Sequence, residues 1–576
     1  MKKYLFGLLL ILTISACKKG DADEGNTPFD AFKQQYIDTL WKLNPDWASS
    51  EGYHKYDSVL VIPNDNSRAD QRAFTKSMQT KLATFKISDL PPSNQIDYHL
   101  IQNQLQLTLW QTDTLRAYQW DPSSYNIIGS FAFILNEHYA PLTIRLKSFY
   151  QKMENIPAYY EEAKKQIKNP VVELTNLAIE QHTGGVSVIE KDFADSLKKT
   201  KIPATEQKLM LARVKTSVVA INGFVQWLKD LKNPTPRSFR LGKDLYAQKF
   251  KYDIQSEYSA KQIYDSAQVR KRYLHSQMYK ISKQLWPKYF GSAKVPTDTL
   301  QLIGKIIDTT SVKHVKPEDF QSAIEKTLPQ LIAFVKEKDL LYIDPAKPLI
   351  VRKEPGYMSG VAGASCSSPG PYDKGGNTYF NVGSLAGWPK EKAESYLREY
   401  NQYMLQILCI HEAIPGHYTQ LVYANQSPDM IKSILSNGAM IEGWAVYTEQ
   451  MMLDNGFAKG DPEMWLMWYK WNLRSVCNTI VDYSVHSGNM SKDEVISMLT
   501  KQAFQQQAEA EGKWKRVSVS SVQLTSYYTG YKEISALREA YKNKMGDKYK
   551  LKEFNEKFLS YGSAPVKYIK ELMLAK

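Results

Sequence analysis

Apolar residues recur at helical spacing along most of this chain, and that period excludes a sheet-dominated fold. From Thr205 to Leu231, the residues Leu209, Leu211, Val214, Val218, Ile221, Phe224 and Leu228 fall at helical intervals, and Tyr258 to Trp286 follows the same rule. Asn233-Pro-Thr-Pro236 interrupts the pattern. Asp461-Pro462 reads as an N-cap followed by proline at the first helical position, and Ser491 to Glu494 as a capping box. Strand-like segments are few: Pro348 to Arg352 and Thr378 to Val382, with the Gly/Ser-rich stretch SGVAGASCSSPGPYDKGGN between them, whose composition demands turns. No fixed-period repeat is present. The expected fold is mainly α, with a small β-element. A chain of 576 residues exceeds what one apolar core supports. Two lobes are therefore expected: a helical N-terminal lobe over 29–340, and a C-terminal lobe over 341–576 holding most of the chemistry.

The first seventeen residues, MKKYLFGLLLILTISAC, direct export. Lys2 and Lys3 precede an apolar run of eleven residues, Tyr4 to Ile14, too short to span a bilayer. Ser15 and Ala16 lead into Cys17, which resembles the bacterial lipoprotein processing site. The expectation is a signal peptide over 1–16, an acylated Cys17 inserted in a lipid bilayer, and a polar tether over 17–28. That places the protein in the bacterial cell envelope, on the periplasmic or outer surface. With 43% hydrophobic and 23% charged residues the remainder is globular. The net charge of +14 is spread along the chain, which argues against a nucleic-acid partner and suits peptide carboxylates or anionic envelope surfaces. Cys366, Cys409 and Cys477 remain after Cys17, and no Cys-x-x-Cys occurs, so neither a disulfide framework nor a cysteine zinc site is expected.

The chemistry concentrates in CIHEAIPGHYTQ. His411 precedes Glu412, and His417 follows six positions after His411. Zinc helices usually set two histidines four apart, on one face. Six apart, the two imidazoles diverge by about 240° on an unbroken helix. Pro415 removes an N–H and clashes with the preceding turn, and Gly416 adds freedom. The pair either makes a bulge that returns His417 to the metal side, or ends the helix and leaves two unrelated histidines.

Twenty-five residues after His417 comes MIEGWAVYTEQ, which places Glu442 and Glu449 seven apart on one helical face. Gly443, Trp444, Ala445 and Val446 surround them with small or apolar side chains, and carboxylates buried in that way need a partner. Two histidines, one carboxylate and an open position make a catalytic zinc site, so His411, His417 and Glu442 are the candidate ligands of one Zn2+. Glu449, two turns on, would instead orient a ligand histidine.

HEAIPGH followed by EGWAVYTE resembles the bacterial lipoproteins of domain-of-unknown-function family 885 (DUF885), which in turn resemble gluzincin-type zinc metallopeptidases. RLGKDLY, TYFNV, RSVCNTIVDYSVH and QLTSYYTGYKEISALRE resemble further blocks, so the likeness covers most of the mature chain. One departure is that Ser521-Val522 stand where the family block carries a proline. The resemblance implies a two-lobed, metallopeptidase-like helical fold around a deep channel, and peptide hydrolysis. It supports His411, His417 and Glu442 as ligands and Glu412 as the general base.

In such a site Glu412 would take the proton of a water and pass it to the leaving amine. Tyr527 and Tyr528 are candidates for steadying the oxyanion, resting mainly on the family block. His486 lies four after Asp482 and is either a second electrophile or a core histidine satisfied by Asp482. Arg538 and Arg474 would meet a peptide carboxylate or hold structural ion pairs, with the ion pairs favoured for both. Tyr379 and Asn381 sit on the strand before the histidines, alongside which an extended peptide could add. Cys366 lacks a neighbouring base and is incidental. The leading expectation is a zinc peptidase acting on short peptides. Its alternatives are a zinc amidase acting on non-peptide or cell-wall substrates, and an envelope binding lipoprotein with a structural or degenerate metal site.

Overall fold

The computed structural model describes residues 27–354, 364–373, 375–426 and 429–575. The export segment, Cys17 and all but the end of the tether lie outside the described residues. The chain is mainly helical, with one small sheet. Its first helix, Pro28–Leu43, begins inside the expected tether because Thr27 and Asp30 close a capping box there. The Asp461 cap and the Ser491–Glu494 box form as expected, opening the helices Pro462–Gly488 and Lys492–Lys501. The expected helix beyond residue 204 runs over Ala204–Asp230, but its buried stripe is Met210, Val214, Ile221, Phe224 and Leu228. Leu209 and Leu211 face outward instead, because the core lies on the side that Met210 occupies.

The apolar cores do not part near residue 340. One core gathers residues between Phe29 and Leu105, Leu60 excepted, with most of the buried apolar residues from Tyr246 to Met573, while a smaller one is built from Leu60 and residues between Tyr125 and Leu228. The N-terminal helices therefore belong with the C-terminal ones, and an inserted helical group stands on its own core. Among the described residues no helix is long and apolar enough to cross a membrane.

The sheet has the order β1-β3-β2, with β1 Leu349–Lys353, β2 Ala364–Ser367 and β3 Thr378–Val382. β1 runs parallel to β3 and β2 antiparallel, with Ala364 opposite Val382 and Cys366 opposite Phe380. β2 lies in the stretch that reads as turns. Its serines have little strand preference of their own, but the buried Asn381 amide donates to Ser365 Oγ at 3.4 Å and Ser367 Oγ at 3.0 Å, tying the strand down.

Candidate metal centre

Asn401 caps the first histidine helix, Gln402–Glu412, by accepting from the Tyr403 and Met404 amides. The helix stops at Glu412, and a second one, His417–Asn425, starts afresh. The expected bulge in a continuous helix is thus a full break, because proline at 415 cannot donate to the last turn. The Ile414–Pro415 bond is cis. The bend closes on itself through Gly416 N donating to Ile410 O at 3.0 Å, and Trp444 Nε1 pins it by donating to Pro415 O at 2.9 Å. Only glycine fits at 416: a Cβ there would lie 1.9 Å from His411 O and 2.3 Å from Ile410 O.

The break turns the two imidazoles towards each other, with ring centroids 4.8 Å apart. Their Nε2 atoms converge on one oxygen of Glu442, at 3.7 Å from His411 and 3.4 Å from His417. Ligands about 2.1 Å from a tetrahedral zinc stand about 3.4 Å from one another, so the separations of the two histidines from Glu442 are close to those of a zinc donor set. Nitrogen, nitrogen and carboxylate oxygen is also a donor set that zinc accepts. Glu412 stays close: its carboxylate and the two histidines offer atoms within 4.8 Å of one another. Burial pushes its pKa up, against the pull of both histidines and of an N–H donated by Cys366 from β2.

Behind His411, Nδ1 faces Glu449 Oε1 at 2.7 Å, and Trp471 Nε1 donates to the same oxygen at 2.9 Å. Glu449 is fully buried. Burial lowers the affinity of His411 for a proton, but its bonds to Glu442 and Glu449 win, and its pKa rises to about 10. With a carboxylate accepting at Nδ1–H, Nε2 is the nitrogen that would give up its proton to a cation. Glu442 and Glu449 ride on the Gly438–Asp454 helix, capped by Asn437. That helix meets Ser526–Met545 backbone to backbone: a Cβ on Gly443 would lie 2.4 Å from Gly530 Cα, and one on Gly530 would lie 1.7 Å from Ala439 O.

Tyr527, one turn before Gly530, sets its ring 6.5 Å from that of His411. Arg516 Nη2 donates to its hydroxyl at 3.3 Å, and burial followed by the Glu442 charge raises the Tyr527 pKa to about 12. The loop before it carries Val522 at φ 71°, a left-handed conformation costly for a β-branched residue. Asp482 holds it there by accepting from Val522 N at 2.8 Å and Leu524 N at 3.2 Å.

Of the expected residues, His411, Glu412, His417, Glu442, Glu449 and Tyr527 come together; the others stand elsewhere. Asp482 braces the tyrosine loop and does not touch a candidate ligand. His486 is no electrophile of this site: its Nε2 lies 2.9 Å from Val517 O and 3.0 Å from Ser520 O, so it donates to the end of a neighbouring helix as a neutral imidazole. Tyr528 points away from its neighbour to Ser266 Oγ at 2.8 Å. Arg538 lies about 16 Å further along the axis of the Tyr527 helix and bonds Glu539 at 3.1 Å. Asn381 is buried, accepting from Arg352 Nε at 2.6 Å. Tyr379 stacks under the Arg352 guanidinium at 3.7 Å and lines a cavity of about 640 Å³ with His54 and His138. β3 is the central strand, so no peptide can add alongside it; among the described residues β2 pairs with β3 alone. Cys366 is a half-buried thiol whose pKa is pushed far up by burial and by the Glu412 charge, as an inert residue requires. Trp471 and Arg516, which hold Glu449 and Tyr527, carry no local sequence signal; only the rule that a buried indole N–H needs an acceptor could have suggested the first.

Over residues 45–573 the chain matches the family described as “Bacterial protein of unknown function (DUF885)”. It superposes with a TM-score of 0.87 on the structure of a candidate lipoprotein of unknown function from Shewanella oneidensis, with 50% identity over 95% of this chain and 100% of that one. A candidate lipoprotein from Colwellia psychrerythraea gives a TM-score of 0.78 at 17% identity, over 95% of this chain and 98% of that one, and shows the shared fold alone. No curated protein matches the chain.

Proposed function

This chain belongs to the bacterial family DUF885, a family of unknown function, and from that premise we propose that it is a zinc-dependent hydrolase cleaving short peptides at the cell envelope. The supporting observation is the convergence of His411 Nε2 and His417 Nε2 on Glu442 at the spacing of a tetrahedral donor set, with Glu412 beside them. Zinc held there supplies Lewis acidity, lowering the pKa of a water to about 7 and polarising a carbonyl. Glu412 accepts the proton of the attacking water and later delivers it to the departing amine nitrogen. The Tyr527 hydroxyl donates to the carbonyl oxygen as that atom gains negative charge, and its raised pKa keeps the proton in place at neutral pH. Arg516 keeps that hydroxyl aimed. Glu449 fixes His411 in the tautomer that leaves Nε2 for the cation. A purely structural zinc site closes all four positions with protein ligands and has no use for a neighbouring base, which favours catalysis over a binding lipoprotein. The lipoprotein descriptions of the relatives support a tether through Cys17.

The test is metal analysis of the purified protein followed by digestion of a peptide library before and after chelation. About one zinc per chain is expected, with cleavage lost to chelator and restored by zinc. Cleavage that survives complete metal removal sinks the proposal. Tyr527→Phe is expected to lower kcat by about 10²–10³-fold with zinc content unchanged, measured by steady-state kinetics beside metal analysis. Glu449→Gln should weaken zinc binding by about 10–100-fold, read by competition with a chromogenic chelator.

A further inference from the structure

Across Trp471 from the candidate centre lies a group of charges that do not balance. Lys470 donates to Glu399 at 2.8 Å, and Arg474 pairs with Glu509 at 3.0 Å. Both carboxylates of the group are thereby engaged. Lys513 and Arg516, on the Gln507–Val519 helix, bring the group to four basic side chains against two carboxylates, and Glu509 attracts both of them without pairing closely with either. Arg516 gives its donors to the neutral Gln523 and Tyr527 side chains. Lys513 is 4% exposed, and its ammonium makes no hydrogen bond or ion pair with any described residue. Arg474 keeps Nη1 buried and without a partner. Buried charges are ordinarily paired, and an unpaired ammonium in a protein interior is costly. Burial, reinforced by Arg474 and Arg516 and only partly offset by Glu509 and Glu399, pulls the pKa of Lys513 far down, so that its amine is charged most readily when a further anion comes to lie beside it.

From this surplus we infer a subsite for a substrate carboxylate, formed by Arg474, Lys513 and Arg516. The inference rests on the peptidase reading and names the end of the peptide that enters. Trp471 sets the reach: its ring centroid is 5.0 Å from the Arg474 guanidinium and 6.1 Å from the His411 ring. Arg516 reaches the centre directly through Tyr527. One or two extended residues, at about 3.3–3.6 Å each, bridge that separation. Solvent reaches the group, since the Arg474 and Glu509 side chains keep 18% and 27% of their exposure. The C-terminal carboxylate is the one that every peptide carries, so the protein acts as a carboxypeptidase that releases one or two residues. An acidic side chain near the end of a peptide offers the same chemistry.

The experiment measures calorimetric binding of matched acetylated tripeptides to the zinc-loaded Glu412→Gln protein. One tripeptide ends in a free acid and one in an amide, and a further amidated pair ends in Glu or Gln. The free acid is expected to bind about tenfold or more tightly than its amide. Lys513→Met, which fills the same space without the charge, should abolish that preference while zinc content and circular dichroism stay unchanged. Arg516→Gln serves as the second variant should the first fail to fold. A preference confined to the amidated Glu over Gln pair assigns the subsite to an acidic side chain. Equal binding of acid and amide, or a preference that survives Lys513→Met, overturns the subsite. Free-acid preference without zinc-dependent cleavage keeps the subsite and removes the hydrolase; cleavage indifferent to the C-terminus does the reverse.

Discussion

On the proposed mechanism, Glu412→Gln is expected to lower kcat by about 10²–10⁴-fold, the range over which a positioned general base acts, with zinc content unchanged. The two halves of that result are needed together. Glu412 stands within 4.8 Å of the histidine ligand atoms, yet Glu442 is the carboxylate on which both Nε2 atoms converge. If Glu412 were a ligand, glutamine would lower metal content along with rate. If it were a bystander, the rate would hold. Glutamine retains the shape and can still accept the N–H that Cys366 donates, so the local fold survives. Folding stability should stay level or rise, since burial already raises the pKa of this carboxyl and an ionised group there is a cost that glutamine lacks. Single-turnover kinetics, metal analysis and denaturant unfolding of the same preparation decide the matter. A variant with full zinc and undiminished cleavage removes Glu412 from the mechanism.

Gly416→Ala carries the largest expected effect on stability. The added methyl would sit 1.9 Å from His411 O and 2.3 Å from Ile410 O, both backbone atoms of the helix that bears the first histidine. No side-chain rotation relieves such a contact, so the bend must open. A loss of about 3–5 kcal/mol follows, at the upper end for a single substitution, along with loss of high-affinity zinc binding. Gly512→Ala is the matched control. Its Cβ meets nothing within 4 Å in the middle of the Gln507–Val519 helix, so it should stabilise by roughly 0.5–1 kcal/mol. Urea unfolding measures both, and comparable values for the two would remove the steric account of the bend.

The candidate ligands were legible because their chemistry is scarce. Histidines flanking a Pro-Gly step, and two glutamates seven apart among apolar neighbours, narrow the possibilities without any knowledge of tertiary contacts. Periodicity placed the long helices but not their orientation about the core, which is why Leu209 faces outward and Met210 inward. Helix termination against bulging at Pro415 could not be separated, since both satisfy the same local rules. β2 was hidden because its stability comes from Asn381, sixteen residues from Ser365. His486 and Tyr528 were misplaced for a related reason, whereas Arg538 holds the ion pair favoured for it. Sequence spacing says which face a residue occupies, but the partners Ser520 and Ser266 depend on what packs against that face. Arg516 and Trp471 show the converse, in that residues of common type acquire a role only through the atom they meet.

The glycine-to-glycine contact between the helices of Glu442 and Tyr527 has a consequence for anyone who would remodel this protein. Main chain rests on main chain there, so the gap between the acid and the phenol is already at its minimum, and any side chain added at Gly443 or Gly530 would force the two helices apart instead of adjusting it finely. Reshaping what the site accepts has to come from the borders, through β2 and the Lys513 helix, while the seam behaves as a fixed ruler.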